Sequence, residues 1–312
     1  MLSRIADSLF WLNRYMERAD GLLRVTYTNY ILVLDKGVNN NLTWKPLLQI
    51  FTYLTDEQIE VIENDTDAVL KLLITDTSNP NSLKVILTKA RENARGVQDH
   101  ITKEVWEQVN QMYHTVNQEL NAKLLGYEAV ETIENFSRNS LLFSGVTDTT
   151  MPRGLGWNFM NLGRLIERCT QTIEITDKQF ASINYELNKP TDIIFWRYLL
   201  LSLSGYELHL KTYHSSNASK EVLHQVLING NFTRSVLYTL DRIKKYLEDV
   251  MRENKLDGNE ALLKFYGRLH SRVKYVDFDT LNGITLQHFL QDVRNDMLEF
   301  SNRLAQLYFS YT

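Results

Sequence analysis

The stretches LNRYMERAD (residues 12–20) and MNLGRLIERCT (residues 160–170) both place Arg-x-x-Glu-Arg inside an apolar pattern of helical period. The charged residues of this motif are Arg14, Glu17 and Arg18 and, 150 positions later, Arg164, Glu167 and Arg168. A charged motif that recurs within one chain predicts two related helices. A duplication of this kind should extend beyond the motif itself.

Two further matches follow the motif in the same order. WKPLL at 44–48 matches WRYLL at 196–200 with a shift of 152, and NSLKVIL at 81–87 matches RSVLYTL at 234–240 with a shift of 153. A shift that drifts slowly is what a duplication with small loop insertions leaves. The pattern predicts two helical repeats related by a pseudo-twofold axis, which together form one bundle-like domain.

Composition favours an all-α fold. Only four prolines and 13 glycines occur in 312 residues, and both residue types punctuate turns. No segment alternates apolar and polar residues between turn signals, so strands are not expected. Small polar residues, a proline and three glycines cluster in 144–156, which predicts the seam between the two repeats. The expected organisation is a first repeat at 1–145, a connecting loop at 146–156 and a second repeat at 157–312.

Helix start signals refine this picture. Pro46 suits a first helical turn behind Thr43, Thr55 and Gln58 form a capping box, and Thr102 is a cap residue. The first helix should end near Gly37, and Asn79-Pro80 should open another. The long helices are expected at about 2–34, 127–143, 157–185, 191–206, 219–228, 233–253, 259–275 and 284–311.

On a helical wheel, the first arginine of each motif, Arg14 or Arg164, lies opposite the apolar stripe. Trp11 falls close to Arg18 on the first wheel, and Trp157 falls between Arg164 and Arg168 on the second. Tryptophan beside arginine is unusual for a solvated face. Three interpretations stay open: a solvent-exposed face, a buried ion-pair network and an anion-binding site.

The segment ARENAR adds Arg91, Glu92 and Arg95 to the charge balance. If it converges with both motifs, the set has six arginines and three glutamates, an excess of three positive charges. Its helix is predicted to pack against a motif helix and to bring Arg91 or Arg95 near Glu17 or Glu167. The excess charge suits a phosphate or carboxylate ligand, for which the arginine fork is well shaped.

Several function classes are disfavoured. The net charge of −4 argues against binding nucleic acid through phosphate contacts. The single cysteine, Cys169, and seven histidines without ligand spacing predict no metal site. No phosphate-binding or dinucleotide glycine motif occurs, so no ATP binding and no cofactor are expected.

Membrane insertion is not expected either. The N-terminal residues lack the continuous apolar run of a signal peptide. The most apolar run, residues 193–206, is interrupted by Arg197 and is shorter than the ~20 residues that span a bilayer. We expect a cytoplasmic protein.

Three segments resemble the hallmarks of the Alpha-E family of bacterial all-α proteins, in the family's order. They are SRIADSLFWLNRYMERAD at the start, ARENARGVQDHITKEVWEQVN in the middle and NLGRLIERCTQT after the seam. The resemblance covers nearly the whole chain. It implies a circularly permuted ATP-grasp protein encoded nearby, often with a transglutaminase-like protease, and hence amide-bond chemistry on a peptide or small anionic substrate.

Three functional hypotheses follow. The first is a helical partner of an ATP-grasp ligase in a peptide-tailoring or amide-forming pathway, whose arginines and glutamates hold an anionic substrate group. The second is an enzyme that uses Glu17 or Glu167 as acid or base beside the arginines. The third is a structural scaffold in which these charges form interlocked ion pairs.

Overall fold

The computed structural model describes residues 2–34, 43–118, 124–188, 193–214 and 217–310. These residues form fourteen α-helices, one short 3-10 helix and no strand, which confirms the all-α fold. The helices are α1 (Ser3–Leu34), α2 (Lys45–Phe51), α3 (Asp56–Ile62), α4 (Thr66–Ile74), α5 (Leu83–Gly96), α6 (Lys103–Asn117), α7 (Gly126–Thr150), α8 (Leu155–Ala181), α9 (Ile193–Ser202), α10 (Tyr206–Thr212), α11 (Ala218–Ile228), α12 (Val236–Glu253), α13 (Asn259–Lys274) and α14 (Ile284–Tyr308). Within the described ranges, no helix has both the length and the apolar character that crossing a bilayer requires.

The chain divides into two compact units. The N-terminal unit is Ser8–Met160, and the C-terminal unit is Asn161–Thr312 together with Met1–Asp7. Both unit boundaries fall inside long helices, because the N-terminal unit takes most of α1 and the first turn and a half of α8.

In the N-terminal unit, helices that follow each other in sequence pack on each other, from α2 through α7. Helix α1 runs antiparallel to α5. A Cβ placed on Gly96 would lie 3.9 Å from Ser8 Oγ near the start of α1. Further along, Arg18 Nη1 donates a hydrogen bond to Asn81 Oδ1 (3.4 Å), just before α5 begins. This arrangement places the first motif beside α5.

The C-terminal unit follows the same principle, with α11 to α14 packed in succession and α9 against α10 and α11. Helix α8 is joined to α12 because Thr172 Oγ1 donates to the carbonyl of Arg234 (3.1 Å). It is joined to α14 by the ion pair of Arg294 with Glu174 (3.0 Å). The second motif therefore lies on a helix that contacts both the start of α12 and α14.

The caps predicted at Thr55 and Thr102 are confirmed. Thr55 and Gln58 form the reciprocal capping box at the start of α3, and Thr102 Oγ1 accepts the N–H of Val105 at the start of α6. Pro46 lies in the first turn of α2 as expected, but the cap position is Trp44 rather than Thr43, and its side chain makes no capping bond. Thr43 Oγ1 accepts the N–H of Lys45 (3.2 Å) from one residue further out.

The seam is shorter than expected, because α7 continues to Thr150 and α8 already begins at Leu155. The hydroxyls of this segment bond back to the helix. Thr149 Oγ1 donates to the carbonyl of Gly145 (2.8 Å), and Thr150 Oγ1 donates to that of Val146 (2.8 Å). Such i−4 bonds let polar residues continue a helix that their composition would end.

Other boundaries also differ from the expectation. Helix α5 begins at Leu83, capped by Ser82, rather than at Asn79-Pro80. The expected helix 191–206 ends at Ser202, and the unexpected α10 follows a turn at Gly205. A Cβ at Gly205 would lie 2.7 Å from Gln225 Nε2, so only glycine fits this turn. Helix α4 was not expected either, and the predicted limits at Gly37, Thr191 and Tyr311 lie outside the described residues.

The two tryptophans matched in the sequence occupy similar surroundings. Trp44 and Trp196 are both fully buried. Trp44 packs on Tyr30 of α1 (ring centroids 6.3 Å apart), and Trp196 packs on Phe180 of α8 (4.4 Å). Tyr30 and Phe180 are themselves 150 positions apart. The pseudo-twofold repeat stays a prediction, which superposition of α1–α7 on α8–α14 tests.

Candidate functional site

The motif helices are buried on nearly all sides, although both are rich in polar residues. Among the described residues, only three Arg, Lys, Asp or Glu side chains are buried: Arg14 (8% exposed), Glu17 (4%) and Glu167 (4%). All three belong to the two motifs. The solvent-exposed interpretation is therefore wrong for these residues.

The arginines of the first motif pack on aromatic rings one turn earlier in α1. The Arg14 guanidinium lies 4.9 Å from the Trp11 ring centroid, and that of Arg18 lies 5.7 Å from the Tyr15 centroid. Trp11 and Tyr15 also pack on each other, with centroids 5.4 Å apart. We call these four residues the cation–aromatic ladder. Each arginine is held by an i−3 aromatic residue, which fixes its direction.

Helix α5 adds a third cation to the ladder. Lys89 Nζ lies 5.8 Å from the Tyr15 ring, and Lys89 is half-buried. Within the described ranges, Lys89 has no carboxylate at ion-pair distance. The ring of Tyr15 therefore has both Lys89 and Arg18 within cation–π distance.

The charged residues of the ARENAR segment do not gather in one cluster. Arg91 faces α6, where its Nε donates to Asn110 Oδ1 (2.7 Å) and its guanidinium lies 4.5 Å from the Tyr113 ring. Glu92 and Arg95 are exposed. Neither Arg91 nor Arg95 forms an ion pair with a described carboxylate, and their predicted proximity to Glu17 or Glu167 stays a prediction.

The second motif uses hydrogen bonds where the first uses rings. Arg164 Nη2 donates to Asn161 Oδ1 (2.7 Å), which is again the i−3 position. Glu167 Oε1 lies 3.5 Å from Gln171 Nε2, one turn later, in a weak hydrogen bond. Arg164 and Arg168 are half-buried. The two motifs thus share their charges and their i−3 support but not the chemistry of that support.

The tryptophans pack on arginines other than those expected from the wheel. Trp11 packs on Arg14 rather than Arg18, and Trp157 packs on Arg153, whose guanidinium lies 3.8 Å from its ring. Arg153 also pairs with Asp148 (3.2 Å).

Cys169 is buried, and burial raises the pKa of its thiol to about 12. A thiol that stays protonated at neutral pH is a poor nucleophile. Cys169 therefore acts as a small packing residue next to the second motif. Across the described residues, no group of three or more His, Cys, Asp or Glu side chains is placed to hold a metal ion.

The C-terminal unit contains a polar cluster that sequence reasoning missed. Buried His209 Nδ1 lies 2.8 Å from Gln225 Oε1, and the His209 ring stacks on Tyr213 (4.9 Å). The Tyr213 hydroxyl lies 2.9 Å from His224 Nδ1 and accepts from Asn229 Nδ2 (2.9 Å). Burial lowers the pKa of both histidines. Only the i,i+4 spacing of His209 and Tyr213 was visible in the sequence.

The family described as "A predicted alpha-helical domain with a conserved ER motif", Alpha-E, matches residues 1–309. The chain therefore belongs to the Alpha-E family, which confirms the resemblance. It is similar to uncharacterized proteins of Mycobacterium bovis and Mycobacterium tuberculosis, each 21% identical over 265 residues. The match covers 79% of this chain but 30% of each relative, so the chain spans about a third of their length. No solved structure matches the chain significantly.

Proposed function

We propose that this Alpha-E protein is a cytoplasmic, helical partner of an ATP-grasp ligase in a peptide-tailoring or amide-forming pathway. In this proposal the ATP-grasp ligase binds ATP, and this chain holds an anionic group of the substrate with the cations of the first motif. An anionic group of this kind is a peptide carboxylate, an acyl phosphate or a nucleotide phosphate.

The cation–aromatic ladder is the observation that carries this proposal. Trp11 and Tyr15 orient Arg14 and Arg18, and Lys89 brings a further positive charge to the same ring. Oriented guanidinium groups bind carboxylates and phosphates with little loss of side-chain entropy. Lys89 and Arg18 are half-buried, so a ligand can reach them, whereas Arg14 is almost fully enclosed. Arg18 and Lys89 are therefore the ligand contacts, and Arg14 supports them.

The family membership and the length of the relatives support the proposed partnership with a second protein. In the mycobacterial proteins, the segment similar to this chain makes up 30% of the whole. A region that occurs joined to a much longer chain in one protein is a natural partner of a separate chain in another.

A structural scaffold is the second candidate function, and the burial of Arg14, Glu17 and Glu167 favours it. Buried charges need compensation, and in a scaffold they compensate each other. The same burial disfavours an acid or base role for Glu17 and Glu167, because a catalytic carboxylate must reach the substrate. The scaffold and the binding site use different members of the motifs, so single variants separate them.

The test is co-purification of this chain with the ATP-grasp protein encoded beside it, followed by measurement of ADP release with and without this chain. Arg18→Ala and Lys89→Ala are the informative variants. Each is expected to reduce chain-dependent ADP release about tenfold or more, since each removes a charge-assisted contact. The thermal midpoint should change little.

Arg138→Ala is the matched control. Arg138 lies on α7 of the same unit and is 73% exposed in its pair with Glu134. The proposal is supported if this control keeps its activity while Arg18→Ala and Lys89→Ala both lose it. Activity losses that follow the thermal midpoint favour the scaffold, and an absence of both co-purification and stimulation refutes the partnership.

A further inference from the structure

An apolar groove lies between α3 and α4 in the N-terminal unit. Its volume is about 380 Å³. It is lined by Leu54, Gln58, Val61, Ile62, Ala68, Leu72 and Asp76. Five of these seven side chains are apolar, and none of them belongs to the motifs.

Large apolar side chains at the groove are unusually exposed. Val61 on the groove wall is 81% exposed, and so is Tyr53, next to Leu54. Both hydrophobic groups stay in water in the isolated chain. Apolar surface that borders a groove and is ringed by polar residues is typical of a protein interaction site.

The segment that forms the groove carries many acidic side chains, which we call the acidic rim, and Asp76 is the one among them that lines the groove itself. Residues 53–76 contain seven acidic side chains and one lysine, a net charge of −6 in a chain whose total is −4. The acidic residues are Asp56, Glu57, Glu60, Glu63, Asp65, Asp67 and Asp76. The remainder of the chain is thus net positive, and the negative charge is concentrated around this one apolar groove.

Hydrogen bonds lower the pKa of two carboxylates of the acidic rim. Those from the Ser78 side chain and from its N–H (2.8 Å) lower the pKa of Asp76, and one from the Thr55 side chain lowers the pKa of Glu57. Only Glu60 forms an ion pair among the described rim residues, with Lys45 (3.4 Å). Asp56 accepts from Gln49 (2.8 Å) and Asp65 accepts from the N–H of Ala68 (3.0 Å), whereas Glu57 and Asp67 are exposed and form no ion pair with a described residue. The charges of Glu57 and Asp67 are therefore available to an incoming cation.

We infer that this groove docks a basic amphipathic helix of a partner protein, with apolar side chains between α3 and α4 and lysines or arginines against the rim. Charge complementarity selects this occupant. Nucleic acid and anionic membranes would be repelled by the rim, and a second copy of the same surface would bring like charges together. A helix in a groove is a common recognition mode that needs an apolar stripe flanked by charges. This inference is independent of the proposed ligase partnership.

The test uses a synthetic, fluorescently labelled peptide with leucines at i, i+3, i+4 and i+7 and lysines elsewhere. Two comparison peptides accompany it: one with glutamate in place of lysine, and one with the same composition but no amphipathic order. Binding to the full chain is measured by fluorescence anisotropy at low and high salt. We expect the basic amphipathic peptide to bind, the other two to bind weakly or not at all, and affinity to fall with salt.

Val61→Arg is the informative variant, because it puts a bulky cation on the wall of the groove. It should weaken binding of the basic peptide about tenfold or more. Leu141→Arg is the matched control, since Leu141 is a 65% exposed apolar residue on α7 of the same unit. The double variant Glu57→Gln/Asp67→Asn tests the rim separately and should reduce both the affinity and its salt dependence. Circular dichroism checks that each variant is folded.

Four results would overturn the inference. The first is that Val61→Arg and Leu141→Arg weaken binding of the basic peptide equally, and the second is that the acidic peptide binds as tightly as the basic one. The third is that no peptide binds. The fourth is that the chain self-associates in analytical ultracentrifugation and that Val61→Arg abolishes this association. The last would identify a second copy of this chain as the occupant. None of these results depends on the ligase, so failure here leaves the proposed function standing.

Discussion

Arg14→Ala is the substitution that best tests how the first motif is stabilised. Arg14 is 8% exposed, and its guanidinium lies 4.9 Å from the Trp11 ring and 5.8 Å from the Phe10 ring. Glu17 follows one turn later and is 4% exposed. The substitution removes both the stacking of the guanidinium and a positive charge close to a buried carboxylate.

The expected cost follows from these two effects. A desolvated cation–π contact contributes about 0.5–2 kcal/mol. Side chains at i,i+3 are about 6 Å apart, and two opposite charges at that distance attract by about 3 kcal/mol at an effective dielectric constant of about 20. Arg14→Ala should therefore destabilise the protein by about 3–5 kcal/mol, as expected when one partner of a buried ion pair is removed. For a unit of this size the thermal midpoint falls by roughly 6–20 °C.

Arg14→Lys and Arg138→Ala are the two comparison variants. Lysine keeps the charge and loses the planar stack, so Arg14→Lys should cost less than half as much as Arg14→Ala. Arg138→Ala removes an exposed i,i+4 pair on α7 and should cost about 0–0.5 kcal/mol. Urea and thermal unfolding followed by circular dichroism measure all three variants.

One outcome would refute the reasoning. If Arg14→Ala and Arg138→Ala agree within about 1 kcal/mol, Arg14 does not compensate buried negative charge. A variant more stable than the wild type would mean that Arg14 is strained against Arg18 and is retained for a ligand.

Three further predictions concern the rest of the fold. Cys169 should not react with thiol reagents in the native protein at mildly alkaline pH, because burial raises its pKa to about 12, and it should react fully after unfolding in urea. Trp44→Ala and Trp196→Ala should each cost about 3–5 kcal/mol in urea unfolding, since both side chains are fully buried. Burial lowers the pKa of His209 in the folded protein, so as the pH falls the unfolded chain is protonated at this residue before the folded chain is. The free energy of unfolding should therefore decrease as the pH drops below about 6.5. The decrease should be smaller in His209→Asn.

Local signals in the sequence predicted those parts of the fold that depend on neighbouring residues. The span of α1 and the caps at Thr55 and Thr102 were predicted because each rests on contacts within one turn. The end of α7 was not, because back-bonding by Thr149 and Thr150 opposes the usual effect of polar residues. The turn at Gly205 was missed because its cause is the close approach of Gln225, twenty residues away.

The helical wheel misplaced Trp11 for a geometric reason. It records angle and ignores the rise along the axis, so Trp11 and Arg18 looked adjacent. Seven residues rise by about 10.5 Å, beyond the ~6 Å reach of a cation–π contact. Arg14, three residues from Trp11, is within reach. Trp157 packs on Arg153, which precedes the start of α8 at Leu155 and was therefore absent from the wheel. The charged residues of the motifs could be read from the sequence, but their partners required both angle and rise.

The two motifs keep the same charges but differ at the residue that supports their first arginine. Arg14 stacks on Trp11, whereas Arg164 donates to Asn161, the residue 150 positions after Trp11. A ring holds a guanidinium by its face and leaves its N–H edge to other acceptors, whereas an amide oxygen occupies part of that edge. Leu165 replaces Tyr15 in the second motif, so the second half also lacks the ring that Lys89 approaches. These differences are why the proposed ligand site is placed at the first motif and not at the second.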